Sequence, residues 1–181
     1  LSRYFAKPFC LSYYSEYVEG VYPLFSNYAL QMMRLFDAEV VSTYLVDCSN
    51  VGGKYAEFST YESVDEGDRV CIVRTAEELT TVLRELEEYV IESTSAYLKN
   101  IYSSVEDYNS ASTMKREIRT LFISSLSELR NEDIATLTTI ARNGCRDGVF
   151  VFVGVSTDEF QASGVITQQH ATAVNNLVAL C

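Results

Sequence analysis

The chain has 181 residues, of which 48% are hydrophobic and 22% charged. This balance excludes a disordered chain and suits one domain, 1–181, with a full-sized core. Its formal net charge is −11, so its surface repels phosphate backbones and DNA binding by this domain alone is not expected. Five cysteines stand at 10, 48, 71, 145 and 181, an odd number with no C-x-x-C pair, and His170 is the one histidine. That excludes a disulfide framework and a zinc site, and it points to a reducing, cytoplasmic setting.

No signal-peptide core follows Leu1, and the longest apolar run, Val149 to Val155, is too short to span a bilayer. Any membrane link is therefore expected to come from a partner or from sequence outside this chain.

In chain order, Phe9 to Tyr14 reads as a first strand. Pro23 opens a helix to about Phe36, with Leu24, Tyr28, Met32 and Leu35 on one stripe. Val40 to Val46 is a continuous apolar and β-branched run, as expected of a strand covered on both faces, and Asp47 ends it. A polar, acidic loop is expected from Cys48 to Asp68. Arg69 to Arg74 reads as a short strand. Thr75 and Glu78 form a capping box for a long helix reaching about Ile101, with Leu79, Val82, Leu83, Leu86, Val90, Tyr97, Leu98 and Ile101 at helical spacing. Tyr108 and Asn109 fall in the loop or turn beyond it.

The basic cluster Lys115, Arg116 and Arg119 reads as a solvated helix start or loop. Arg119 to Ser124 is the next strand. Glu132 to Arg142 is a helix, with Asn143-Gly144 as its expected left-handed C-cap. Gly148 leads into Val149 to Val155, the most strand-like segment, and Val174 to Leu180 reads as a last strand. Strands alternate with helices and their apolar runs are continuous, which predicts a parallel sheet with helices on both faces.

Four segments stand out in order: Tyr44-Leu45-Val46-Asp47, Val105-Glu106-Asp107-Tyr108-Asn109, Ile140 through Val149 and Gly164-Val165-Ile166-Thr167. Together they resemble the motor domain of the FtsK/SpoIIIE family of RecA-like ATPases. The resemblance covers roughly Phe9 to Leu180. It implies an α/β, three-layer P-loop-NTPase-like domain and membership of an oligomeric machine that translocates DNA or exports protein by a type VII-like route.

The departures from that pattern bear on activity. The family carries G-x-x-x-x-G-K-[ST] after its first strand, to cradle the triphosphate and ligate Mg²⁺. Here that stretch holds Ser15, Glu16, Glu19 and Gly20, with no lysine and several tyrosines. The family ends a later strand in two acidic residues, which hold the Mg²⁺ shell and polarise water. Here Ser124 and Ser125 stand in those places.

The resemblance therefore implies a pseudo-ATPase with no catalytic residue, no metal and no cofactor. Its partners are expected to be other motor-type ATPase domains or subunits and further proteins. The alternative is a divergent but active ATP-dependent DNA translocase. Asp47, Ser156 and Thr157 remain as a residual site, although Asp47 reads first as a cap or turn former. Asp158-Glu159 reads equally as a strand-end carboxylate pair or a helix start. The tyrosines 13, 14, 17, 22 and 28 admit two readings, a partner surface or half-buried packing. His170 reads as a surface or satisfied residue.

Overall fold

The computed structural model describes residues 10–36, 40–49, 51–62, 69–126, 129–156 and 168–180. The strands are β1 (Cys10–Ser15), β2 (Val41–Val46), β3 (Val70–Val73), β4 (Ile118–Ile123) and β5 (Val149–Ser156). The helices are α1 (Val21–Leu35), α2 (Ala76–Glu92), α3 (Val105–Ala111), α4 (Asn131–Asn143) and α5 (Gln168–Val178). One sheet runs in the order β1-β5-β4-β2-β3, and every pairing in it is parallel. All five strands thus end along one edge of the sheet.

The continuous apolar runs have the expected cause. Alternate strand residues serve two separate cores. Leu45, Val70, Ile72, Phe122 and Phe152 pack with α1 and with Tyr55 and Phe58. Val46, Val73, Leu121, Ile123, Val151 and Val153 pack with α2, α4 and α5. The protein is therefore a three-layer α/β fold with helices on both faces of a parallel sheet.

Local chemistry sets the element starts. Thr75 caps α2 by accepting the Glu78 N–H at 3.2 Å, and the Glu78 carboxylate reaches back to the Arg74 N–H at 2.7 Å. Ser104 caps α3 in the same way, at 3.1 Å from the Asp107 N–H.

The structure corrects several expectations. α1 buries Val21, Tyr22, Phe25, Ala29 and Met32, whereas Tyr28 and Leu35 of the expected stripe are exposed. Apolar residues surround this helix, so spacing admitted either stripe, and contact with Phe122 and Phe152 chose between them. The loop after Asp47 carries a 3₁₀ segment, Gly53–Tyr61. α2 stops at Glu92 and passes into a π turn, Ser93–Leu98, and Ile101 is exposed.

Tyr108 and Asn109 lie inside α3. There the Asn109 side chain accepts the Arg116 N–H and donates to the Arg116 carbonyl, both at 2.7 Å. The basic cluster is structural rather than a solvated run. Arg116 stacks on Tyr89 and Tyr97 at 3.8 and 4.3 Å from the ring centroids, pairs with Glu92 at 2.6 Å, and keeps only 12% of its side chain exposed. Arg119 lies over the same Tyr89 ring at 4.0 Å, while Lys115 donates to the Asn109 and Ser112 carbonyls at the end of α3.

Gly144 is right-handed, with φ −61. The left-handed turn falls at Gly148, φ +90, where glycine carries no steric cost. Residues 174–180 form no strand, since α5 covers 168–178 and buries Val174 and Leu177. That three-residue spacing belongs to a helix, and a window so short left the period ambiguous.

Leu177→Ala is expected to cost about 2–4 kcal/mol of stability, and Asn176→Ala, one residue away and exposed, less than about 0.5 kcal/mol. Urea unfolding of the two variants measures the contrast. Equal costs would contradict the helical placement.

Candidate functional site

Ligands of open parallel sheets bind beyond the strand C-termini, where neighbouring strands send their chains to opposite faces. Here β2 leads into the 3₁₀ segment on the α1 face, and β4 leads into α4 on the other face. The candidate site is the crevice between those two strand ends, together with the turn from β1 into α1.

The crevice is filled by two phenols. Tyr55 comes from the 3₁₀ segment and Tyr22 from the first turn of α1. They are 0% and 5% exposed, with ring centroids 5.5 Å apart. The Tyr55 hydroxyl hydrogen-bonds the hydroxyl of Ser124, which is itself wholly buried at the end of β4. Burial pushes the Tyr55 phenol well above its ordinary value of 10.0, and the Ser124 hydrogen bond only partly opposes this.

Beside the phenols, the buried Asp47 carboxylate gathers three donors. It accepts the Lys54 N–H at 3.0 Å, the Ser49 hydroxyl at 3.3 Å and the Tyr22 hydroxyl at 3.2 Å. Asp47 thus ties the start of the 3₁₀ segment to α1. The Lys54 ammonium sits 5.6 Å from the Tyr22 ring centroid. The space left among Tyr22, Asp47, Ser49 and Ser125 is about 10 Å³, room for at most one water.

The turn before α1 is equally occupied. A 3₁₀ turn, Val18–Gly20, runs directly into the helix. The Gly20 N–H donates to the Tyr17 carbonyl at 3.1 Å, and the Val21 N–H to the Val18 carbonyl. A phosphate needs such N–H groups pointing outward at a helix start. Here they close the turn. Ser15 bonds back to the Tyr17 backbone, as donor at 2.7 Å and acceptor at 3.3 Å. Val21 is fully buried against β5, where a Cβ on Gly154 would lie 2.5 Å from both Val21 Cγ1 and the Ser124 carbonyl oxygen. The glycine in β5 is what allows helix and strand end to meet.

Of the sequence-predicted residues, Asp47, Ser124, Ser125 and Tyr22 come together here. Ser156 is buried and pairs in register with Ser15. Glu16 and Glu19 are exposed on the turn. Thr157, Asp158-Glu159 and the Gly164 to Thr167 segment lie outside the described residues. Tyr17 and Tyr28 remain exposed while Tyr22 is packed, so the packing reading holds for Tyr22. Tyr55, Val21 and Gly154 were not singled out in the sequence. A signal for Tyr55 existed: Tyr55 and Phe58 stand three apart in an acidic stretch, the spacing of a turn with one buried side.

This fold is shared with known motor proteins. EssC of Geobacillus thermodenitrificans, ATPases 2 and 3, superposes with a TM-score of 0.66 at 14% identity, over 96% of this chain and 31% of that one. The pCW3 conjugation coupling protein TcpA, in a monomer form with ATPγS, gives 0.60 at 14% identity, over 93% and 47%. The cytoplasmic domain of the type VII secretion ATPase EccC of Thermomonospora curvata gives 0.57 at 17% identity, over 85% and 19%. The fold is that of FtsK/SpoIIIE-like ATPase domains. At these identities it is the fold that is shared, and the chain spans less than half the length of each of these proteins. No protein-family model matches the chain, and no curated protein matches it. Among the described residues no helix is long and apolar enough to cross a membrane.

Tyr55→Phe leaves the buried Ser124 hydroxyl without its partner, so a loss of about 1–3 kcal/mol is expected. Adding Ser124→Ala should recover part of it, which a double-mutant cycle by chemical denaturation reads directly. A second expectation concerns pH. The folded state holds the Tyr55 proton to higher pH than the unfolded chain does, so stability falls as pH rises beyond about 10. Tyr55→Phe should flatten that fall in melting temperatures recorded between about pH 8 and 11, and an unchanged slope would exclude Tyr55 as its source.

Proposed function

We propose that this chain is a catalytically silent motor-type ATPase domain, 1–181, serving assembly, regulation or partner binding in a DNA-translocation or type VII-like secretion motor. One observation carries the reading. The Gly20 and Val21 N–H groups at the start of α1 donate back into the 3₁₀ turn, and Tyr22 and Tyr55 plug the crevice beside them. Among the described residues, the space left between the strand ends, about 10 Å³, is too small for a triphosphate. Ser124 and Ser125 supply no carboxylate for a Mg²⁺ shell, and Glu16 and Glu19 place negative charge at the turn that phosphate would approach.

The fold neighbours support the setting. They are components of secretion and conjugation machines, and one EccC structure is a complex with a signal sequence peptide. By analogy, this domain would meet protein partners, motor domains among them, on the cytoplasmic side of such a machine. Its acidic surface favours protein contacts over DNA contacts.

Calorimetric titration with Mg·ATP is expected to give no saturable heat up to about 1 mM, the range where specific recognition has vanished. A micromolar Kd, or ATP turnover lost on changing Ser125, would favour a working translocase instead. Salt-sensitive DNA binding by the isolated domain would point the same way.

A further inference from the structure

β3 forms one edge of the sheet, and its outward backbone is closed to a further strand. The Ile72 N–H donates to the Glu62 carboxylate at 2.9 Å, and the Ile72 carbonyl accepts from the Arg74 guanidinium at 2.9 Å. Glu62 and Arg74 also bond each other, at 3.0 Å between Nη1 and Oε1. This clip occupies the outward N–H and carbonyl of Ile72, groups that an added strand would use.

Beside the clip, between β3 and α2, lies an open groove of about 560 Å³. Its floor is largely apolar, formed by Cys71, Ile72, Val73 and Val82. Its rim carries Glu77, Glu78 and Glu85, brought to one side of α2 by helical spacing. Glu77 and Glu85 are exposed, and neither is in a salt bridge among the described residues. Among the described residues the one cation lining the groove, Arg74, is engaged by Glu62.

We propose that this groove docks a basic amphipathic segment of a partner protein. Apolar side chains would cover the floor while lysine or arginine side chains meet the three rim carboxylates. The clip occupies the Ile72 edge groups, so the segment is held through its side chains, as a helix laid in a groove is held. Charge complementarity supplies orientation and rate, and because Ile72, Val73 and Val82 are already buried beneath the groove, apolar cover adds a smaller share. The inference does not depend on whether the strand-end crevice admits nucleotide.

The test uses a fluorescein-labelled model helix with a leucine face and lysine flanks, and its twin with glutamate flanks, followed by anisotropy. Saturable binding of the lysine peptide alone is expected, weakening several-fold between about 50 and 200 mM salt. Glu77→Lys with Glu85→Lys should weaken it about tenfold. The same charge change at Glu19→Lys with Glu57→Lys should leave it within about twofold. Equal loss in both variants would mean a diffuse acidic field and would overturn the proposal, as would binding of neither peptide. Hydrogen exchange on the unaltered protein gives a reading that needs no variant. Protection by the lysine peptide is expected within 71–85, and protection elsewhere only would reject the groove.

Discussion

The contact between the Tyr55 hydroxyl and Ser124 at the end of β4 fixes the upper half of this molecule. A buried hydroxyl costs stability unless it is bonded, and each of these two satisfies the other. For the pair to form, the chain after β2 must fold back over the strand ends, which it does as the Gly53–Tyr61 segment. Asp47 secures that return by holding the Lys54 N–H and the Tyr22 hydroxyl. Tyr22 in turn fixes how α1 enters, so strand end, loop and helix start are mutually determined.

The two cores differ in kind, and that difference supports the plug. The core shared with α2, α4 and α5 is almost wholly aliphatic. The core under α1 is aromatic. Phe122 and Phe152 stack at 4.5 Å between centroids, Phe25 tilts onto Phe122 at 5.4 Å, and Tyr55 meets Phe58 at 6.2 Å. Rings of this size fill the space up to the strand ends, and close packing there avoids the cost of an interior void.

Charge is placed with equal economy around the sheet. An acidic chain has few cations, and here several are placed in fixed geometry. Arg116 is sandwiched between two tyrosines, Arg119 shares one of them, and Arg74 closes the β3 edge. The glutamates are left to the surface, concentrated on α2.

The sequence by itself determined the sheet and its surroundings. Continuous apolar strands such as Val149 to Val155 require cover on both faces, and the alternation with helices makes the pairing parallel. The capping box at Thr75 placed the start of α2 to the residue, because a cap is read by residues three positions apart. The end of β4 was equally legible, since the apolar run Leu121 to Ile123 stops at Ser124. What lay beyond reach depended on contacts distant in sequence. Which stripe of α1 is buried, how Arg116 is used and where the Tyr55 ring goes were all decided by partners distant in sequence, Phe122 for α1, Tyr89 and Tyr97 for Arg116 and Ser124 for Tyr55. Residues 174–180 read as a strand until α4 offered a surface for Val174 and Leu177. Local pattern fixes which residues seek burial, and only the assembled sheet and helices decide which neighbour each one finds.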